Sequence, residues 1–162
     1  PEKIVGGVVD LWLPSTERIG FSTGFPEPEP DTTLTIPSTA DGIIAVGAYD
    51  VARDAVASFS GRGDTADGRK APTLVAPGVG VVTAAPGGGY TTRTGTSIAV
   101  PFVTGSVALM MEWGIVQEND PYLYGEKVKA YLIKGARRLP GQEEVPDKKA
   151  GWGALCLSDS LP

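Results

Sequence analysis

The sequence predicts an α/β domain in which short parallel strands are flanked by helices. Two apolar runs, residues 42–49 and 73–76, are typical of strands that are covered on both faces in a parallel sheet. Two later stretches, residues 96–113 and residues 121 or 122 to about 134, have the composition and periodicity of helices. The 22 glycines and 14 prolines among 162 residues indicate many turns between these elements.

The first 30 residues differ from the rest of the chain. Residues 3–13 mix β-branched and aromatic side chains with partial alternation, which predicts a strand that closes at Pro14. Residues 15–31 are polar and contain Pro26, Pro28 and Pro30, a spacing that favours an extended linker without hydrogen bonds of its own. We therefore place a module boundary here and assign residues 1–30 to a β-rich module and its linker.

Residues 31–162 contain the remaining elements in order. Residues 57–63 are typical of a strand end that passes into a turn, and residues 78–84 predict another short strand. The glycine-rich residues 86–90 indicate a flexible turn. The first helix should begin near Thr96, tolerate Pro101 in its first turns, and be largely buried. The second should be amphipathic, with Val128, Tyr131 and Leu132 on its apolar stripe.

Charge and apolar content exclude several classes of partner. Fourteen basic residues against 19 acidic ones give a net charge of -5, which offers no basic face for nucleic acid. The longest apolar stretch, residues 98–111, is interrupted by Pro101 and by polar or small residues, so no membrane span is predicted. Cys156 lies in an apolar run, which indicates a buried structural thiol.

The N-terminus does not resemble the start of a protein. The chain begins with Pro1, and no secretory pattern follows. We interpret the chain as part of a longer protein, whose location this end of the sequence leaves open.

Ser97 occupies a place where a hydroxyl can do chemistry. At the first turn of a helix, unpaired backbone N–H groups and the helix dipole favour a developing oxyanion. Gly95 permits backbone conformations that other residues avoid, and it leaves room for a substrate carbonyl. The alternative is that Thr96 or Ser97 only caps the helix, and helix-start chemistry alone favours the cap.

A longer pattern favours the catalytic interpretation. Residues 95–109, GTSIAVPFVTGSVAL, closely resemble the nucleophile motif of the subtilisin family, Gly-Thr-Ser-x-Ala-x-Pro-x-Val-x-Gly-x-x-Ala-Leu. The resemblance implies a serine endopeptidase in which Ser97 is the nucleophile, the Ser97 N–H helps to hold the oxyanion, and Thr96 lies beside it. It also implies the C-terminal half of a subtilisin-like fold.

Other segments carry the same resemblance. Ile36-Pro37-Ser38-Thr39-Ala40, followed by the run IIAVGA, is similar to the family's segment before a central strand. By that match Ile36 and Pro37 line the pocket for the substrate residue before the cleaved bond, Gly95 also contacts substrate, and the bond before Pro37 is cis. The substrate is then a peptide or protein.

The chain also departs from the family. It has no histidine and no Ala-Gly-Asn-x-Gly segment, and its aspartates Asp50, Asp54 and Asp64 come too late for the family's order of aspartate, histidine, serine. The resemblance therefore implies that the N-terminal half is missing, that it is a partner of this chain, and that the chain alone is inactive. Residues 1–30 resemble the end of the β-sandwich insert found in clostridial spore-germination proteases. This resemblance implies a soluble bacterial protein, and its location stays open between the cytoplasm, the spore and the exterior.

Two alternatives stay open. The parent protein could be a pseudoprotease that keeps the fold without the chemistry, or this chain could be a structural domain that associates with a copy of itself. The residues themselves predict no cofactor, and no acidic cluster, including Glu143 and Glu144, has the spacing of a calcium loop. Because subtilases commonly bind calcium, the resemblance leaves calcium open as a cofactor.

Overall fold

The structure, a computed structural model, describes residues 7, 9, 11–14, 16–20 and 22–161. The chain divides into two compact units, Pro1–Pro30 and Asp31–Pro162. The assignment of the first unit to an inserted β module stays a prediction.

The first unit contains a short helix, α1 (Thr16–Ile19). The Thr23 hydroxyl donates to the Ile19 carbonyl at 3.0 Å, and Gly20 has a φ of 81°, a conformation that commonly ends helices. The prediction of an extended linker without internal hydrogen bonds is therefore wrong here, because its prolines all lie after this turn. Most of the predicted strand at residues 3–13 falls outside the described residues, and the described residues 11–13 form no strand.

A three-stranded sheet forms the centre of the second unit. Its strands are β1 (Val46–Asp50), β2 (Ala55–Val56) and β3 (Leu74–Pro77), in the order β2-β1-β3. β1 and β3 are parallel, with Val46 opposite Leu74 and Tyr49 opposite Pro77. Ala48, Leu74, Val75 and Ala76 are fully buried, as expected for strands covered on both faces. The predicted strand at residues 73–76 is confirmed, and the one at residues 42–49 is confirmed only from Val46 onward, since residues 42–45 form no strand.

A two-stranded hairpin follows the sheet. β4 (Val81–Ala84) and β5 (Tyr90–Arg93) are antiparallel, with Val81 opposite Arg93. The predicted strand at residues 78–84 is confirmed in its second half. The turn predicted at residues 86–90 extends only to Gly89, since Tyr90 already begins β5 and pairs with Ala84.

Three helices complete the unit. α2 (Thr96–Met111) continues into a single π-helical turn, Glu112–Val116. α3 (Glu126–Gly135) starts later than predicted, because residues 121–124 form a turn and Gly125 has a φ of 56°. Its predicted apolar stripe is confirmed, with Val128 and Leu132 buried. α4 (Leu157–Ser160) packs on α3, where a Cβ on Gly135 would lie 2.3 Å from the Ser160 nitrogen.

The C-terminal segment is tied to the sheet. Val75 forms a parallel bridge with Ala154, and the Arg137 guanidinium makes two hydrogen bonds to the Asp54 carboxylate, at 3.1 and 2.6 Å. These hydrogen bonds and the charge of Arg137 hold the pKa of Asp54 below its usual value. Cys156 is half-buried and 3.3 Å from the Ser158 hydroxyl, so the prediction of a buried thiol is wrong in its degree of burial.

The Asp54–Arg137 pair predicts a pH-dependent contribution to stability. Because the pKa of Asp54 is lowered in the folded state, its contribution is present above the unfolded value near 3.8 and is lost as the pH falls through the folded value. Asp54→Asn should therefore lower the urea midpoint at pH 7, and its difference from wild type should shrink only once the pH falls below 3.8 and through the lowered folded pKa of Asp54. Glu143→Gln, at an exposed carboxylate without an ion pair among the described residues, is the control. A difference that persists unchanged in acid would contradict this.

Candidate active site

The loop before α2 is built around Gly95. Gly95 has φ 155° and ψ 161°, a conformation that L side chains rarely adopt, and it occupies the N-cap position of α2. Its carbonyl accepts the N–H groups of Ile98 at 3.1 Å and Ala99 at 3.3 Å. No side chain caps the helix. The alternative in which Thr96 or Ser97 serves as the cap is therefore wrong, since a glycine fills that position.

Ser97 consequently keeps its hydroxyl available. It is the second residue of α2 and is exposed, and no hydrogen bond of its side chain is present among the described residues. The first N–H group of this segment that donates to a helical carbonyl is that of Ile98, whose acceptor is the Gly95 carbonyl. The N–H groups of Thr96 and Ser97 therefore have no intrahelical acceptor. No acidic side chain lies in the first turn. The nucleophile candidate therefore lies beside two free donors at the positive end of a 16-residue helix.

Two glycines at the carboxyl end of β3 hold this loop. The Gly95 N–H donates to the Gly78 carbonyl at 2.8 Å, and the Gly80 N–H donates to the Thr94 hydroxyl at 2.9 Å. Gly78 also donates to the Tyr49 carbonyl at 3.0 Å, which joins the loop to β1. Ser97 is thus held at the carboxyl ends of two parallel strands, the usual place for sites in α/β sheets. Sequence reasoning assigned no role to Gly78, Gly80 or Thr94.

The other predicted substrate residues lie on a separate loop. Ile36 is 89% exposed and lies within a turn that is closed by the Ser38 N–H donating to the Thr35 carbonyl at 2.8 Å. The Ile36–Pro37 peptide bond is cis, as the resemblance implied. Within the described part of the chain, no hydrogen bond or ion pair joins Ile36 or Pro37 to residues 95–97. The structure therefore brings Gly95, Thr96 and Ser97 together, and the substrate roles of Ile36 and Pro37 stay predictions.

The aspartates of this unit have structural partners. Asp50 pairs with Arg53 at 3.6 Å, Asp54 with Arg137 at 2.6 Å, and Asp64 with Lys70 at 2.8 Å. The chain has no histidine. Among the residues that the structure describes, no group of three or more His, Cys, Asp or Glu side chains could hold a metal ion. Among the described residues, none of these three aspartates makes a hydrogen bond to Ser97.

The helix that carries Ser97 is covered on one face only. Ala99, Val103, Ser106 and Met110 are buried against β1 and β3. The remaining surface, which we call the open face of α2, contains small residues such as Gly105 and Ala108, flanked by four exposed apolar side chains: Val100 at 43%, Phe102 at 40%, Leu109 at 54% and Met111 at 37%. The prediction of a largely buried helix is wrong for this chain, because no described residue covers the open face.

The apolar character of α2 and the π-helical turn also bears on membrane insertion. The continuous helical segment Thr96–Val116, 21 residues long, is long and apolar enough to cross a membrane by length and composition alone. Helices that are apolar on all sides are also typical of the interior of large soluble proteins. The buried contacts of this helix with β1 and β3 are those of a core helix.

The sheet also has an unpaired edge. The backbone N–H and C=O groups of successive strand residues point to alternate sides of the strand. The Leu74 N–H donates to the Ala45 carbonyl, so the backbone groups of Ala45 face β3 and those of the next residue, Val46, face away from it. On that side β2 pairs only with Tyr49 and Asp50, and Ala48 bonds to Ala57 and to the Ser60 hydroxyl. Among the described residues, the backbone groups of Val46 therefore have no partner on this edge.

Comparison with known proteins identifies the family. The sequence pattern of the Subtilase family matches residues 18–153, which is most of the chain. The chain belongs to the subtilase family. The serine protease AprX of Bacillus subtilis is 33% identical over 154 residues, a match that covers 82% of this chain and 33% of AprX. The membrane-bound transcription factor site-1 protease of Mus musculus is 38% identical over 115 residues, covering 67% of this chain and 11% of that protein.

A solved subtilase structure is similar throughout most of the fold. The CspB protease of Clostridium perfringens superposes with a TM-score of 0.82 at 43% identity, over 85% of this chain and 29% of CspB. The resemblance to the subtilisin family and the α/β class of a subtilisin-like fold are thereby confirmed. The chain spans only about a third of the length of the two bacterial relatives.

Proposed function

We propose that this chain supplies the nucleophile of a serine endopeptidase. The observation that carries the proposal is the free Ser97 hydroxyl at a helix start that Gly95 caps, with the Thr96 and Ser97 N–H groups left without intrahelical acceptors. Ser97 Oγ attacks the scissile carbonyl carbon, and its proton passes to a general base. The carbonyl oxygen becomes an oxyanion that accepts the Ser97 N–H, beside Thr96. The base then gives this proton to the leaving amine as the peptide bond breaks, and a water molecule hydrolyses the acyl-enzyme ester to free Ser97.

The substrate is a peptide or protein chain held on both sides of Ser97. Gly95 has no side chain to obstruct a substrate backbone next to the nucleophile. Ile36 presents an 89% exposed apolar side chain, suited to contact an apolar substrate residue before the cleaved bond. We assign Ile36 and Pro37 to that pocket.

The chain alone is inactive in this proposal. A serine hydroxyl is a weak nucleophile unless a base takes its proton, and the chain has no histidine to act as that base. The upstream half of the same protein supplies the histidine and the aspartate that orients it. It also supplies a side-chain donor for the oxyanion.

That upstream half is also the physical partner. It covers the open face of α2, whose exposed Phe102 and Leu109 are unfavourable in water. It also provides a strand for the unpaired edge at Val46, because unpaired strand edges readily accept another strand. The same two features favour a second candidate, self-association of the isolated chain. Light scattering distinguishes them, since a partner role for the upstream half predicts that self-association disappears when both halves are present.

Peptide cleavage tests the proposed function. The full-length protein and residues 1–162 alone are incubated with a peptide library, and the products are identified by mass spectrometry. We expect cleavage by the full-length protein and none by the isolated chain. Cleavage by the isolated chain would refute its dependence on the upstream half. A correctly folded full-length protein that cleaves nothing would instead favour a pseudoprotease.

Gly105 provides a structural test of where the upstream half packs. A Cβ on Gly105 meets nothing within 4 Å, so Gly105→Ala should stabilise the isolated chain by about 1 kcal/mol through helix propensity. In the full-length protein, where we expect close packing on the open face, the added methyl should destabilise by about 1–3 kcal/mol. Urea unfolding of the isolated chain and of the full-length protein measures whether the effect of Gly105→Ala on the free energy of unfolding changes sign between them.

The control for Gly105 lies on another helix. Ala130→Gly changes an exposed position of α3 and should cost about 1 kcal/mol in both forms. If Gly105→Ala stabilises both forms equally, the upstream half does not pack on the open face.

A further inference from the structure

A small polar cavity lies behind the loop that carries Ile36. The cavity has a volume of about 60 Å³ and is lined by residues of the loop that follows Pro37, by the segment leading into β3, and by α3. Three cationic side chains reach it: Arg69, Lys70 and Lys129. We call residues 35–43 the substrate loop, since it contains the proposed pocket residues Ile36 and Pro37.

The substrate loop has little apolar packing at its tip. Ile36 is 89% exposed, and the tip consists of two successive turns, in which Ser38 N–H donates to Thr35 at 2.8 Å and Ala40 N–H to Pro37 at 2.9 Å. These bonds are local and do not fix the loop relative to the sheet. Its position must be set by contacts with residues distant in sequence.

Two of the three cations supply such contacts. The Lys129 ammonium donates to the Ile43 carbonyl at 2.7 Å, and Arg69 Nη2 donates to the Thr39 carbonyl at 2.7 Å. Hydrogen bonds from charged donors are stronger than neutral ones. Lys70 differs, because its ammonium pairs with Asp64 at 2.8 Å and makes no recorded bond to the loop.

The two donors are themselves held in place. Arg69 is fixed by Asp67 at 2.9 Å and lies 3.7 Å from Asp41, a residue of the substrate loop. Lys129 has no carboxylate partner among the described residues, and it extends from α3, whose Val128 is buried in the core. The loop is therefore connected to the core through two side chains that end on its backbone carbonyls.

We propose that Lys129 and Arg69 are positioning residues for substrate binding, which fix the substrate loop by charged hydrogen bonds to the Ile43 and Thr39 carbonyls. The inference rests on the proposed protease function, in which Ile36 and Pro37 contact the substrate residue before the cleaved bond. Neither cation touches the reacting atoms in this account. Loss of either bond should weaken substrate binding and leave the attack by Ser97 unchanged.

Lys129→Met in the full-length protein tests this proposal, because methionine keeps the apolar stem and removes the donor. We expect KM for a peptide substrate to rise about tenfold while kcat stays within about twofold, as for loss of one charged hydrogen bond. Amide hydrogen exchange of residues 35–43 should become faster. Lys129→Arg should restore most of the wild-type KM and most of the wild-type exchange rate of residues 35–43. Lys134→Met, which replaces an exposed lysine on the same helix, should change neither KM nor the exchange rate.

Two results would overturn the proposal. One is unchanged exchange of residues 35–43 in Lys129→Met. The other is a fall in kcat as large as the rise in KM, which would mean that the whole site has been disturbed. If the wild-type protein cleaves no peptide, the proposed function has failed, and hydrogen exchange alone then decides whether Lys129 holds the loop.

Discussion

Replacing Ser97 with alanine in the full-length protein should reduce kcat for peptide hydrolysis by about 10⁶-fold, the loss that removal of the nucleophile causes in subtilisin, itself a subtilase. The reason is that the reaction passes through a bond between Ser97 Oγ and the substrate carbonyl carbon, and alanine cannot form it. The exposed Ser97 side chain makes no hydrogen bond among the described residues, so the substitution should leave stability within about 0.5 kcal/mol of wild type. Steady-state kinetics and urea unfolding measure the two quantities.

A serine elsewhere in the chain provides the control for this variant. Ser158→Ala removes an exposed hydroxyl in α4, whose hydrogen-bond contacts within the described part of the chain are with the Cys156 and Asp159 side chains. It should leave kcat unchanged. If Ser97→Ala retains more than about a hundredth of the wild-type kcat, the nucleophile is another group.

Gly78→Ala should have the second largest effect, because this residue connects the sheet to the nucleophile loop. An added Cβ would lie 2.5 Å from the Ala48 Cβ and 3.0 Å from the Gly95 carbonyl oxygen. Relief of these contacts moves β1 and Gly95 apart and shifts Ser97 with them. A displacement of about 1 Å costs roughly 100-fold in rate, and overpacking of this kind costs about 1–3 kcal/mol in stability. Kinetics and denaturant unfolding of the full-length protein measure both.

Gly24→Ala is the control for Gly78. A Cβ on Gly24 meets nothing within 4 Å, so neither activity nor stability should change. If Gly78→Ala loses stability but keeps its kcat, the contact between Gly78 and Gly95 does not position Ser97.

The central strands and helices were predictable because their signals are local. Each central strand is an uninterrupted apolar run, around Val46 and around Leu74. The apolar residues of α3 recur with the period of a helix. β5 was missed because residues 90–93 are mostly polar and exposed, and their strand conformation depends on pairing with β4. The burial of α2 was predicted wrongly because its apolar residues lie on all sides of the helix, whereas the described residues cover only the side that faces β1 and β3.

The part of the candidate site that lies in one continuous sequence pattern was also predictable. Ser97 follows from the register of residues 95–109, a pattern continuous in sequence. The finding that Gly95, and not Thr96 or Ser97, occupies the N-cap position of α2 required the backbone angles of the folded chain, which sequence does not give. The bonds that hold the site join residues far apart, such as Gly78 with Gly95 and Lys129 with Ile43, 86 positions away. Such contacts have no local pattern and become visible only in the folded chain.

Active-site labelling tests the central claim most directly. A fluorophosphonate reacts with an activated serine nucleophile, and peptide mass spectrometry locates the adduct. Treatment of the full-length protein should place the adduct on Ser97 within minutes, whereas residues 1–162 alone should stay unlabelled over the same time. An adduct on a different residue of the active full-length protein, or equally rapid labelling of Ser97 in the isolated chain, would contradict the account.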